Sequence, residues 1–388
     1  MVRSLLQLAA SLGIACILVA VLYIDGAQAP VSLLYQPAST TPSITESTST
    51  PLIASTTVAT STAKKTPVKK AAAKAQKSQI ATTTQGQSAT TSTNEVHRIE
   101  NPYPFPPLAS DSINQSARAA LVNVFCQTAG GPISSISGSG VIIDPRGVIL
   151  TNAHVAQYVL LSTEPAAGLN CYIRTGSPAE IHWNVGILYI PAAWVQLHAQ
   201  DIVKSKPKGT GENDYALLVI TGSTDGNAPP TTFPYLPPDT REAIGFTSDP
   251  VLVAAYPAEF AGASTQTALY PSTVFTRIGD LLTFDESTVD IISLGSVAVA
   301  QGGSSGGGAV NEWGRLVGVV TTTSEGETTA NRELRAITLA YINRDMLRKT
   351  GSTLLNYIGA DPLTKARSFT QNEAPLLAKQ VLGNLQGR

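Results

Sequence analysis

The sequence predicts an all-β domain of sandwich or barrel type, followed by C-terminal helices and preceded by an apolar membrane segment and a disordered linker. Three observations carry this expectation. From about Asn101 the chain consists of short stretches rich in Val, Ile and Leu, separated by Gly, Pro, Asp and Asn, the pattern of many short strands. No long amphipathic helical period is visible before Asn343. Upstream the composition changes twice: residues 1–29 are apolar, and residues 30–100 are dominated by Ser, Thr, Ala and Lys.

Residues 5–24 form a nearly unbroken apolar run of 20 residues, long enough to cross a bilayer as a helix. Arg3 before it and Asp25 after it orient the N-terminus to the cytoplasm and the remainder outside. A cleaved signal peptide is the alternative, with Ala27-Gln28-Ala29 as the cleavage sequence. Against it, the run exceeds a signal core of about 7–15 residues. Pro30 would also follow the cut, where its ring and missing N–H fit a peptidase poorly. The expectation is therefore an anchor at 1–29, through which the protein contacts the membrane. Residues 37–97, rich in Ser and Thr, cannot bury enough apolar surface to offset the entropy of ordering. The six lysines Lys64, Lys65, Lys69, Lys70, Lys74 and Lys77 belong to this tether and extend it by self-repulsion, with a weak electrostatic contact to an anionic surface as the alternative. A net charge of −1 at pH 7 implies no nucleic-acid partner.

The folded unit is expected over residues 101–350. Residues 141–143 and 148–151 read as two strands joined by the turn Asp144-Pro145-Arg146-Gly147. Residues 215–221, 250–255, 289–294 and 316–322 read as further strands. A helical extension is expected over 351–388, with Leu354, Leu355 and Ile358 on one apolar stripe and Leu376, Leu377, Val381 and Leu382 on another. Cys126 and Cys171 both fall in strand-like segments, and pairing or two buried thiols are equally open. No Cys or His spacing suggests a metal, and no cofactor is implied.

The chemistry concentrates in three segments. Ser305 lies in Gln301-Gly302-Gly303-Ser304-Ser305-Gly306-Gly307-Gly308, where glycines let the backbone turn sharply and aim N–H groups at one point. That is the requirement of an oxyanion hole. The chain has four histidines, His97, His154, His182 and His198, and all precede Ser305. This excludes the α/β-hydrolase order, in which His comes last. His97 borders the tether, and His182 and His198 read as packed or surface residues. His154, in Leu150-Thr151-Asn152-Ala153-His154-Val155, sits where a strand ends and a ring can face a cleft. Asp214, in Asn213-Asp214-Tyr215-Ala216-Leu217-Leu218, precedes a buried strand that would hold it in place to orient the imidazole. Asp201 and Asp225 lack that context.

Taken in order, these segments resemble the HtrA/Deg branch of trypsin-like serine proteases. Gly138-Ser139-Gly140-Val141-Ile142-Ile143-Asp144 and the segment around His154 resemble the family's His region. The Asp214 strand, the glycine-rich Ser305 loop, the strand Leu316-Val317-Gly318-Val319-Val320-Thr321 and Leu339-Ala340-Tyr341-Ile342-Asn343 resemble the segments that follow. The resemblance spans roughly residues 115–350. It implies a two-barrel chymotrypsin/trypsin-like fold and serine endopeptidase activity on protein or peptide substrates outside the cytoplasm. It also implies a triad of His154, Asp214 and Ser305, with the N–H groups of Gly303 and Ser305 as the oxyanion hole. The same fold without catalysis, binding peptides only, is the alternative.

Departures are informative. Gly308 replaces a usual Pro, which implies a more flexible loop. Ser304 stands where zymogen-type trypsins carry Asp, so no freed α-amino group is expected to activate the enzyme. The residues after 343 are too few for the PDZ domain of Deg-type proteins, so PDZ-linked roles are not expected. By offset from Ser305, Val299 and Ala300 should form the base of the S1 pocket, and Thr321, Thr322 and Thr323 its wall. None is acidic, and burying an unpaired Lys or Arg is costly. A small or medium apolar P1 residue is therefore expected, unless Glu325 or Glu327 supplies a carboxylate.

Overall fold

The computed structural model describes residues 98–386, apart from 129, 131–132, 205–208, 243, 285–287 and 324–330. The apolar run 5–24, the tether up to residue 97, and Glu325 and Glu327 lie outside the described residues. No described helix is long and apolar enough to cross a membrane.

Six strands, β1 (Leu121–Thr128), β2 (Ile136–Asp144), β3 (Val148–Thr151), β4 (Leu169–Gly176), β5 (Ala179–Tyr189) and β6 (Ala216–Ser223), close into a barrel in the order β1-β2-β3-β6-β5-β4. Its neighbours are antiparallel throughout. Closure leaves this sheet without an exposed edge. Seven further strands make a second sheet, a half-barrel: β7 (Pro250–Ala255), β8 (Ser272–Arg277), β9 (Leu281–Leu282), β10 (Ile291–Gly295), β11 (Gly308–Asn311), β12 (Leu316–Thr323) and β13 (Glu333–Thr338). Their order is β8-β7-β11-β12-β13-β10-β9. The two barrels are consistent with the chymotrypsin-type fold expected from the motifs.

Local chemistry explains the elements. Gly147 closes the β2–β3 turn at φ +83°, a left-handed conformation natural to glycine, and its N–H donates to Asp144 O at 3.0 Å. Cys126 on β1 lies opposite Cys171 on β4, and the two form a disulfide, which closes the alternative left open by the sequence. Gly308 opens β11 and pairs with Ala254 and Val319, so it belongs to a strand rather than to a flexible loop. A Cβ there would lie 2.7 Å from Leu316 Cδ1.

Among the described residues three α-helices precede residue 339, where no long amphipathic helix was expected. In α1 (Ser110–Ala120) the buried positions are Ile113, Ala117 and Ala120, and two small alanines give little hydrophobic signal. α2 (Ala153–Leu161) is buried at every position but His154, so its sequence carries no amphipathic period. α3 (Ala192–His198) has 7 residues. α4 (Leu339–Thr350) begins four residues before Asn343, because Thr338 caps it by accepting from Tyr341 N–H at 3.1 Å. α5 (Leu354–Gly359), α6 (Pro362–Asn372) and α7 (Ala374–Gln386) follow. Leu354, Ile358, Leu377 and Val381 are buried as expected, but Leu355 and Leu376 are 48% and 72% exposed and leave the predicted stripes. α7 packs on α2 and α3, so the C-terminal helices brace the first barrel.

Residues 98–108 run over the second barrel. Arg98 pairs with Asp249 at 2.8 Å, Tyr103 bonds Asp239, and Trp313 Nε1 donates to Phe105 O at 3.1 Å.

Candidate active site

β3 ends at Thr151, and α2 begins two residues later with His154 in its first turn. Asp214 follows Asn213, which adopts φ +60°, a left-handed turn that Asn tolerates better than most residues. The Asp214 carboxylate grips His154 twice. Oδ1 accepts the His154 backbone N–H at 2.9 Å, and Oδ2 lies 2.8 Å from ring Nδ1. An ionised carboxylate only accepts, so Nδ1 carries the proton and Nε2 of the neutral ring is left as an acceptor. Asn152 Nδ2 donates to Asp214 O at 2.8 Å and fixes the carboxylate's own backbone. Burial depresses the His154 pKa most, but the Asp214 charge and hydrogen bond outweigh it together, and the pKa stands above its ordinary 6.5.

The support continues downward. Tyr341 OH on α4 accepts the Asn213 N–H at 3.1 Å, Lys349 Nζ bonds Asn213 Oδ1, and Asp345 holds both Lys349 at 2.7 Å and Tyr215 OH at 2.8 Å. Burial raises the Tyr215 phenol well above its ordinary pKa and keeps it a neutral donor.

The Ser305 loop is positioned by its backbone. Gly303 and Gly306 lie at φ +92° and +89°. A Cβ on Gly306 would fall 2.0 Å from Ser139 O, and one on Gly303 2.7 Å from Ala258 Cβ. Both positions therefore require glycine for conformation and for space. Ser139, fully buried on β2, stitches the loop to the first barrel. Its N–H donates to Ser305 O at 2.8 Å, and its hydroxyl donates to Gly303 O at 2.7 Å while accepting Tyr256 N–H at 2.8 Å. His154, Asp214, Gly303, Ser305 and Thr321 line a single cleft of about 360 Å³.

Residues 138–319 match the family model described as "Trypsin-like peptidase domain". This match identifies residues 138–319 as a trypsin-like peptidase domain. Among solved structures, it is 17% identical to an inactive Ser-to-Ala mutant of Rv3671c from M. tuberculosis H37Rv, covering 64% of this chain and 95% of that one, with a TM-score of 0.38. It is 20% identical to the HtrA-type protease AlgW, solved with a tripeptide, covering 63% of this chain and 65% of AlgW, with a TM-score of 0.39. No curated protein matches the sequence.

The peptidase domain places the other expected residues unevenly. Val299 and Ala300, offered as the base of the S1 pocket, are not in the cleft lining. Both are 2% exposed, in a core cluster with Val251, Val253 and Val320. Hydrophobicity explains this: two small apolar side chains gain more by joining that core than by facing solvent. Thr321 lines the cleft, and Thr322 and Thr323 continue β12 in register with Leu334 and Glu333. His198, expected to be merely packed or at the surface, also lines the cleft, with Nδ1 2.8 Å from Asp201 Oδ2 and its ring stacked on Trp194 at 5.0 Å. Among the described residues no group of three His, Cys, Asp or Glu side chains is placed to hold a metal. Sequence reasoning missed Ser139, although a serine between two glycines in an apolar strand was a signal, and it missed the Tyr341–Asp345–Lys349 support, which is long-range and leaves none.

Proposed function

We propose that this peptidase is a serine endopeptidase in which His154, Asp214 and Ser305 act as the triad. The observation that carries the reading is the double hydrogen bond from His154 to Asp214, in the cleft that Ser305 also lines. Ser305 Oγ attacks the scissile carbonyl carbon, and His154 Nε2 takes its proton. The tetrahedral intermediate collapses as the imidazolium returns that proton to the leaving amine, leaving an acyl-enzyme. Water, deprotonated by the same nitrogen, then releases the acid and restores Ser305. Asp214 stays ionised, holds Nδ1–H and stabilises the imidazolium. The N–H groups of Gly303 and Ser305 receive the oxyanion, each worth about 2.7–4 kcal/mol at the transition state. The HtrA/Deg-like order of the motifs favours unfolded or peptide substrates presented as an extended strand along β12.

The disulfide supports a location outside the cytoplasm, where such bonds persist, and agrees with the orientation expected from the apolar run. A small or medium apolar P1 residue remains the proposed preference, with Thr321 as the pocket residue that lines the cleft. Labelling with a fluorophosphonate probe tests the reading. Wild type should react, while Ser305→Ala and His154→Ala should not. A folded wild type that never reacts would instead favour the catalytically silent peptide-binding module.

A further inference from the structure

The peptide unit between Gly302 and Gly303 has an orientation that the triad does not explain. Its carbonyl, Gly302 O, is held by two N–H donors, Ala258 at 2.8 Å and Glu259 at 3.1 Å. In a planar trans peptide the C=O and the following N–H point in opposite directions. With Gly302 O turned toward residues 258–259, the Gly303 N–H must point away from them. Gly303 lines the cleft beside Ser305. A flipped unit would place a carbonyl where the oxyanion must form.

One side chain adds to this hold from the other end of the same glycine. Glu259 Oε2 accepts the Gly302 N–H at 2.9 Å, so the carboxylate and the Glu259 N–H grip both polar groups of Gly302. The carboxylate is itself clamped by Arg332 through both guanidinium nitrogens, one at 2.9 Å. Planar bidentate pairs of this kind carry geometric specificity as well as energy. Arg332 lies just before β13 and Glu259 just after β7, so the pair ties two separate loops of the second barrel to the Ser305 loop. The loop bearing Glu259 is anchored in turn to the first barrel. Arg174 on β4, 1% exposed, donates to Thr265 O at 2.8 Å and to Gln266 O at 3.3 Å.

We propose that Glu259, held by Arg332, is a positioning residue that keeps the Gly302–Gly303 peptide turned so that the Gly303 N–H faces the oxyanion. The inference rests on the serine endopeptidase reading above. Glu259 touches no reacting atom in this scheme and acts through Gly302. Its loss should therefore weaken the transition state and leave ground-state binding of the peptide nearly untouched.

The experiment measures kcat and KM on a peptide substrate for the full chain, per active site titrated with a fluorophosphonate. Glu259→Ala should lower kcat by about 10- to 100-fold, below the 10²–10³ cost of deleting an oxyanion donor outright. Its KM should stay within about twofold, as expected when only transition-state contacts are lost. Glu259→Gln keeps an oxygen for the Gly302 N–H and should stay within about threefold of wild type, since only the charge assistance is lost. A Glu259→Ala enzyme as fast as wild type, a loss confined to KM, or a loss that Gln does not restore would each overturn the proposal. Should Glu259→Ala fail to fold, Arg332→Gln decides: lowered kcat at constant KM supports the clamp, and an unchanged kcat overturns it. An inactive wild type that the probe does not label would overturn the triad reading instead, which separates the two failures.

Discussion

The closed first barrel presents two side chains at its element ends, and the half-barrel presents Ser305 on a loop held by its backbone. His154 and Asp214 are placed by strand ends and helix starts of a sheet without edges, further braced by a disulfide and by α4 and α7. Ser305 sits in a loop whose shape comes from two left-handed glycines and from carbonyls tied to Ser139, Ala258 and Glu259. The comparison teaches that the two halves should tolerate mutation differently. In the first barrel the site depends on the chemical groups of His154 and Asp214. In the Ser305 loop, adding a methyl group is as harmful as removing a functional one.

The largest effect is expected from removing the side chains of the proposed triad. Ser305→Ala should lower kcat on the order of 10⁶-fold with the fold intact, and Asp214→Asn about 10⁴-fold by stabilising the wrong His154 tautomer. Steady-state rates alongside circular dichroism would check this, and an active Ser305→Ala would end the assignment. Next comes the shape test: Gly306→Ala puts a Cβ 2.0 Å from Ser139 O at φ +89°. It should cost about 1–3 kcal/mol or more in stability and nearly all activity. Thermal melting and probe labelling read both effects, and a variant that is stable and fully labelled would refute the backbone argument.

Replacing Cys126 and Cys171 by Ser should destabilise the protein by about 2–5 kcal/mol, seen as a lower urea midpoint. Activity at low temperature should survive, because neither sulfur lines the cleft.

The pH dependence offers a smaller, signed effect. The His154 pKa is raised, so the neutral base appears only as pH climbs through a value above 6.5, and kcat/KM should rise across that limb. Stability should move oppositely. The favourable contact of imidazolium with Asp214 is fully present below the unfolded value near 6.5 and is lost as pH rises through the folded value. Rate profiles and denaturant melts across pH 5–9 would show the two curves crossing. An acid limb at or below pH 6 would contradict the Asp214 charge and hydrogen bond together outweighing burial. The smallest effect is expected at Ser304, whose hydroxyl is buried without a hydrogen-bond partner. Ser304→Ala should leave the melting temperature unchanged or slightly raised and activity within about threefold, since no made hydrogen bond is lost. A dead Ser304→Ala beside an active Ser305→Ala would exchange their roles.

What the sequence determined by itself is whatever depends on local pattern. The turn at 144–147, β3, β7 and β12, the glycine run around Ser305 and the chain order of His154, Asp214 and Ser305 are all written in residues close together, because strand period and turn chemistry act over a few positions. α2 was not legible, since a helix buried on nearly every side has no polar face to mark its period. Nor was the disulfide decided, because pairing depends on β1 and β4 lying side by side. Tertiary structure alone turned Val299 and Ala300 into the core and brought His198 to the cleft. It also placed Ser139 and Glu259 against the Ser305 loop, 164 and 43 residues away from the glycines they hold. Such contacts are hydrogen bonds to backbone groups, which every residue possesses, so no side-chain pattern announces them before the chain has folded.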